Sequence, residues 1–205
     1  MTKRFLAALT FNITMALQAA PAWAAKSLIV TLYPHDELGD ISDNKIRQDF
    51  VQPWLNEMRE LSNHSIEVIF KRNIAGITDI RYREMSPEDT YRTFSNATPP
   101  QFSGQKSVLL ARNTFGLNRE GTDTLGLAKL GYPDGIASLA TYTALAHELG
   151  HMMNATHKAA ELRYNPWRCE TYVFPLRNSL RSNCYRYSDE NRASISSYLN
   201  ETLGQ

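Results

Sequence analysis

Three histidines fall in one short segment of this chain, residues 147–157, which has the sequence HELGHMMNATH. His147 and His151 are four positions apart, so on an α-helix they project from one face, a single turn apart. His157 follows six positions later, and a continued helix would point it roughly 240° away. The three imidazoles can meet only if the helix ends after His151 and the chain turns back.

Asn154 is the expected point of that turn, because Asn is the non-glycine residue that best tolerates the left-handed conformation closing many helices. The helix itself is predicted from apolar residues that recur at helical spacing on the side opposite the histidines. These are Tyr142, Leu145, Ala146, Leu149 and Met152. We therefore expect one helix face to pack on a core and the other to line a cleft.

Neutral imidazole is a preferred zinc ligand, and a catalytic zinc ion usually takes three protein ligands and keeps one position for water. His147, His151 and His157 are the predicted ligands of one Zn²⁺ ion. Glu148 lies beside the ligand face, where it can act as general base on the zinc-bound water. An alternative third ligand is Glu170, nineteen positions after His151, but that assignment leaves Asn154 and His157 without a role.

The segment resembles the metzincin clan of zinc endopeptidases, whose pattern is HExxHxxGxxH, with Asn154 at the glycine position. Residues 124–130 and 135–141 resemble the edge strand and its neighbour in reprolysin-like members, and residues 187–199 resemble the final helix. The resemblance implies an α/β (α+β) fold with a twisted, mostly parallel mixed sheet, an antiparallel edge strand, an active-site helix and a C-terminal helix. The implied substrate-binding edge strand contains Thr124, Leu125, Gly126, Leu127 and Ala128.

The resemblance departs from the clan at the methionine turn, because no methionine follows Met153. The equivalent segment is residues 171–175, which places Val173 at the methionine position. Val173 is apolar and can still form a floor beneath the metal. This departure keeps open the possibility of a protease fold without turnover.

The N-terminus has the features of a secretory signal peptide over residues 1–24: Lys3 and Arg4, an apolar run, and an Ala-Trp-Ala cleavage site. Residues 25–205 are then predicted to form one zinc metalloprotease catalytic domain, secreted or periplasmic. The formal net charge of +1 does not favour nucleic acid or an anionic membrane surface as a partner. No later segment is apolar enough to predict a membrane span.

In an exported chain, Cys169 and Cys184 are expected to form a disulfide that braces the pocket for the substrate side chain after the scissile bond. Paired zinc thiolates are the alternative. His35 and His64 are interpreted as surface or satisfied loop histidines. The loop 35–43 carries four acids, Asp36, Glu37, Asp40 and Asp43, for which a solvated turn and helix cap is favoured over a calcium site.

Strands are predicted at 27–33, 65–71 and 107–112, with a helix over 44–61 kinked at Pro53 and a second from Ser86 to about Phe94. The predicted function is a secreted zinc-dependent endopeptidase acting on protein or peptide substrates. Two alternatives stay open: an inactive zinc-containing secreted binding protein, and a toxin-type effector subunit with an unidentified partner or inhibitor. The intact Glu148 favours catalysis, because a binding site needs no base.

Overall fold

A computed structural model describes residues 26–99, 101–102, 104–117, 121–164, 166–175 and 180–204. Its main sheet has five strands in the order β2-β1-β3-β5-β4. Neighbouring strands are parallel except for β4, which pairs antiparallel with β5. The strands are β1 Leu28–Pro34, β2 Ile66–Phe70, β3 Gln105–Ala111, β4 Gly126–Ala128 and β5 Asp134–Ser138. The predicted mostly parallel mixed sheet with an antiparallel edge strand is confirmed, and the predicted signal peptide, 1–24, lies outside the described residues.

The sheet is covered on both faces, and the alternation along β3 shows why residues 108–111 of this strand are all apolar. Val108 and Leu110 belong to one core cluster, whereas Leu109 and Ala111 belong to the cluster on the opposite face. Side chains alternate between the two faces of a strand, and parallel strands covered by helices on both sides bury both sets. Six of the seven β3 residues are buried.

The helix predicted over 44–61 is one continuous helical segment with a π-helical turn in its middle. It consists of α1 Asp43–Ile46, the π-turn Arg47–Val51 and α2 Gln52–Leu61. Pro53 lies in the first turn of α2 and has no N–H to donate to a preceding carbonyl. A π-helical turn is a common place for a helix to bend, so the turn before Pro53 agrees with the predicted kink.

The other helices are α3 Pro87–Ala97, α4 Ala144–Met152 and α5 Asp189–Leu203. The Ser86 hydroxyl accepts a hydrogen bond from the backbone N–H of Asp89, so the predicted helix start is confirmed. Helix α5 begins two residues later and ends four later than the sequence resemblance suggested. Within the described residues, no helix combines the length and apolar character needed to cross a membrane.

A second, three-stranded sheet lies between α4 and α5, and the sequence did not predict it. It contains β6 Leu162–Tyr164, β7 Arg168–Glu170 and β8 Ser182–Asn183. The predicted Cys169–Cys184 disulfide is present and joins β7 to the residue after β8. The cysteines are therefore not thiolate ligands.

The acidic loop is held by arginines from elsewhere in the chain. Glu37 pairs with Arg83, and Asp43 pairs with Arg72. Asp40 pairs with Arg112. These ion pairs fit the solvated-turn interpretation rather than a calcium site.

Candidate metal centre

Helix α4 ends where the spacing of the histidines requires it to end. Asn154 has a φ of +68° and follows the C-cap residue Met153. The backbone N–H of Ala155 donates to the carbonyl of Gly150 at 2.9 Å, and the N–H of Asn154 donates to the carbonyl of His151 at 3.0 Å. These two bonds form a Schellman motif, so the predicted break at Asn154 is confirmed.

The reversed chain brings His157 back to the two histidines of α4. The Nε2–Nε2 distances are 3.1 Å for His147–His151, 2.9 Å for His147–His157 and 3.0 Å for His151–His157. Zinc–nitrogen bonds of about 2.0–2.1 Å in tetrahedral geometry separate ligand nitrogens by roughly 3.3–3.4 Å. The triangle is a few tenths of an ångström smaller, a difference that small ring rotations remove.

Backbone carbonyls fix the orientation of two of the rings. Nδ1 of His151 lies 2.8 Å from the carbonyl oxygen of Ala155, and His147 is hydrogen bonded to the backbone of Tyr172. A neutral imidazole that donates its Nδ1 proton presents a bare lone pair at Nε2. Lone pairs at this separation repel each other unless a cation lies between them. The donor set therefore fits a metal ion.

The protonation state of the cluster favours metal binding as well. Burial, with the neighbouring imidazoles, lowers the pKa of His147 to about 3. Burial also lowers the pKa values of His151 and His157. Metal ligation needs neutral imidazole, so these residues are held in the form that binds a cation.

Glu148 lies against the edge strand β4. Gly126 leaves the space it needs, because a Cβ on Gly126 would lie 2.6 Å from Cγ and Oε1 of Glu148. Burial raises the pKa of the Glu148 carboxyl well above its usual range, and a hydrogen bond from the backbone of Ala128 opposes this shift. A buried carboxyl with a raised pKa beside the three histidines is the kind of group on which a functional-site prediction can rest.

The floor beneath α4 contains Val173, which is fully buried. A Cβ on Gly150 would lie 3.0 Å from Cγ2 of Val173 and 2.7 Å from Cε1 of Tyr187. Val173 and Tyr187 thus pack directly on the helix backbone between the ligand positions and fill the space under it.

The remaining predicted residues lie elsewhere or differ in detail. Among the described residues, His147, His151 and His157 form the group able to hold a metal ion, whereas Glu170 pairs with Arg181. Nε2 of His35 lies 3.0 Å from the Ile80 carbonyl oxygen, and Nε2 of His64 lies 3.1 Å from Oδ1 of Asn200. Both are satisfied loop histidines, as predicted.

One prediction from helical spacing and one from the family resemblance are wrong in detail. Tyr142 precedes α4 and is 53% exposed, stacking on Phe50 instead of entering the core. Thr124 lies outside β4 and pairs with Phe115 and Gly116. Leu125, also outside β4, still accepts a hydrogen bond from Ser138 of β5.

The mixed sheet and its antiparallel edge agree with the predicted metzincin-like fold, and two histidines of α4 with His157 after it form a candidate metal site. No protein-family model matches the sequence, and no curated protein does. Among solved structures, the fold is similar to that of metalloproteinase-II from Bacteroides fragilis, with a TM-score of 0.60 and 16% identity. The similarity covers 86% of this chain and 53% of that chain, so this chain spans about half of its length. At 16% sequence identity, this similarity establishes the fold alone.

Proposed function

We propose that this protein is a zinc-dependent endopeptidase. The observation that carries the proposal is the triangle of Nε2 atoms from His147, His151 and His157, with Glu148 buried beside it. Two rings held by carbonyls and three lowered pKa values support a preformed cation site. The shared fold with a solved metalloproteinase agrees with this assignment.

The catalytic role proposed for Glu148 is proton transfer. Zinc, when bound, polarises the scissile carbonyl and lowers the pKa of its water toward neutrality. Glu148 accepts the proton of that water and delivers it to the leaving amine. Burial raises the pKa of this carboxyl, the direction that makes its carboxylate a stronger base.

The substrate is proposed to pair with β4 as an added strand. β4 is the last strand in the sheet order, and among the described residues no strand pairs with its outer edge. The N–H of Ser138 donates to the carbonyl of Leu125, so by the alternation of an antiparallel ladder Leu127 faces β5, and the backbone groups of Gly126 and Ala128 face the open side. Because the Ala128 N–H is bonded to Glu148, the groups proposed to bind substrate are the N–H and carbonyl of Gly126 and the carbonyl of Ala128. An extended peptide bonded there lies beside Glu148.

Export is proposed from the disulfide and the N-terminal sequence. The Cys169–Cys184 bond fits an oxidising compartment, extracellular or periplasmic. The disulfide connects the strands that follow His157, and its proposed role is to hold the wall of the pocket after the scissile bond.

The test is metal-dependent cleavage by the full chain. Purified protein is incubated with denatured casein, with 1,10-phenanthroline, and with phenanthroline followed by excess Zn²⁺. We expect cleavage that the chelator abolishes and zinc restores, and His64→Ala should behave as wild type. Cleavage that is insensitive to the chelator would contradict the zinc mechanism. Zinc binding without any cleavage would favour the inactive binding protein.

A further inference from the structure

The start of α5 contacts the chain immediately before two of the three histidines. Oη of Tyr187 donates a 2.6 Å hydrogen bond to the carbonyl of Ala146, the residue before His147. Asn191 makes two bonds to Thr156, the residue before His157. Its Oδ1 accepts from the Thr156 N–H at 2.8 Å, and its Nδ2 donates to the Thr156 carbonyl at 3.1 Å.

Both side chains are buried, so their contacts are not exchanged with solvent. Tyr187 is 0% exposed and Asn191 is 1% exposed. The Tyr187 ring also packs on Gly150, where a Cβ would come within 2.7 Å of it. Any side chain larger than hydrogen at position 150 would displace the ring. Tyr187 therefore fixes α4 both at its carbonyl and across its backbone surface.

Tyr187 is itself anchored to a third element. Its backbone N–H donates to Oε1 of Glu57 at 2.9 Å, and Glu57 of α2 is 4% exposed. The same carboxylate accepts two bonds from Arg192 of α5, at 2.8 and 2.7 Å. Paired bonds of this kind are strong and directional. The backbone of Tyr187 is thus held by Glu57 of α2, and that carboxylate is itself held by Arg192 of α5.

The two contacts lie on either side of the chain reversal at Asn154, one before it in the sequence and one after it. Tyr187 contacts the helix that carries His147, and Asn191 contacts Thr156, the N-cap of a 3-10 helix that begins at His157. The two residues lie four positions apart, on either side of the α5 N-cap Ser188, whose hydroxyl accepts a hydrogen bond from the Asn191 N–H. Contacts from one short segment, residues 187–191, therefore fix the distance between the segment that carries His147 and the segment that carries His157.

We propose that Tyr187 and Asn191 are positioning residues that set the separation of His147 from His157 and thereby the metal affinity of the site. The proposal rests on the proposed zinc function. Partners that hold metal ligands in place typically change affinity by 10–100-fold when removed. Neither residue belongs to the group that can hold a metal ion, so the effect passes through backbone position.

The test compares Tyr187→Phe and Asn191→Asp with a matched control, Tyr198→Phe. Tyr187→Phe keeps the ring and removes the bond to Ala146. Asn191→Asp keeps the acceptor for the Thr156 N–H, removes the donor to its carbonyl, and suits the first turn of a helix. Tyr198 lies on α5 too, and its hydroxyl accepts a hydrogen bond from Nζ of Lys106 at 2.7 Å, away from the histidines.

Zinc affinity is measured by competition with a chromophoric chelator, and ligand geometry by the visible spectrum of the Co²⁺-substituted proteins, all at a temperature where circular dichroism shows them folded. We expect Tyr187→Phe and Asn191→Asp each to bind zinc at least about 10-fold more weakly than wild type, with an altered Co²⁺ spectrum. Tyr198→Phe should match wild type within twofold, even where its thermal stability falls. Wild-type zinc affinity and a wild-type Co²⁺ spectrum in both Tyr187→Phe and Asn191→Asp would overturn the proposal.

These measurements do not depend on proteolysis. A wild type that binds zinc but cleaves nothing would contradict the proposed function and leave the positioning test intact. Weakened zinc binding in the Tyr187→Phe and Asn191→Asp variants of such a protein would still support the positioning role. Unchanged binding in an active enzyme would reject that role alone.

Discussion

Nε2 of His147 and Nε2 of His157 lie 2.9 Å apart, although ten positions and the end of a helix separate the two residues. The approach depends on the left-handed Asn154 and on the Schellman motif that it completes. The geometry makes His157, rather than Glu170, the third member of the cluster.

The third ligand can be assigned by zinc content. We expect His157→Ala to lose most of the bound zinc, because two histidines leave the ion with too few protein ligands. Glu170→Gln should keep full occupancy, since Glu170 pairs with Arg181. Elemental analysis of the dialysed proteins is the measurement. Full occupancy in His157→Ala together with loss in Glu170→Gln would make Glu170 the ligand.

The helix end depends on the backbone conformation of one residue. Asn154→Ala should lower the free energy of unfolding by roughly 1–2 kcal/mol, because a Cβ without a local polar partner disfavours the left-handed region. Asn154→Gly should stay within about 0.5 kcal/mol of wild type, because glycine adopts that region freely. Urea denaturation of the three proteins measures the difference. Equal loss in both variants would show that the Asn side chain, not its φ, matters.

The three-histidine cluster can be predicted from the sequence because the residues that indicate it are close together in the chain. Two histidines one turn apart, a residue that tolerates a positive φ and a third histidine are all contained in residues 147–157. Strands such as β1 and β3 were predicted for the same reason, as short apolar runs with defined ends. Their termini shift by a few residues because hydrogen bonding with neighbours decides where a strand ends.

What the sequence could not predict depends on contacts between distant segments. Tyr142 has helical spacing with Leu145 and Leu149, yet it stacks on Phe50 because α4 begins after it. Gly126 is a short strand residue in the sequence, and only the packing of Glu148 against it explains why a side chain is excluded. Tyr187 carried no pattern linking it to Ala146, forty-one positions away.

The disulfide should stabilise the fold without forming the metal site. It joins cysteines with a sequence separation of 15, and a loop of that size contributes about 3 kcal/mol in the chain-entropy model. Cys169→Ser combined with Cys184→Ser should lower the free energy of unfolding by that order while zinc occupancy persists. Chemical denaturation and elemental analysis test both parts. Loss of zinc in the folded double variant would show that the disulfide holds the histidines.

The buried Lys106 predicts a specific pH dependence of stability. Lys106 is 1% exposed, and burial lowers its pKa to about 8. Between that value and the ordinary lysine pKa near 10.5, the unfolded chain holds a proton that the folded protein has released. Stability contributed by this residue therefore rises with pH across that interval and is lowest below it.

The measurement is the free energy of unfolding of wild type relative to Lys106→Met. We expect the free energy of unfolding of wild type, minus that of Lys106→Met, to increase by about 1–3 kcal/mol between pH 7 and 10. Lys106→Met removes the titrating group and keeps most of the buried volume. Parallel pH profiles for the two proteins would contradict the lowered pKa.

The central claim is that Glu148 transfers a proton at a zinc site formed by the three histidines. Its most direct test is Glu148→Gln, which keeps the shape of the side chain and its contact with Gly126 but removes the base. The variant is assayed for zinc content and for cleavage of denatured casein beside wild type. We predict full zinc occupancy and a fall in turnover of at least about 100-fold. Zinc-loaded Glu148→Gln that cleaves at the wild-type rate would contradict the account.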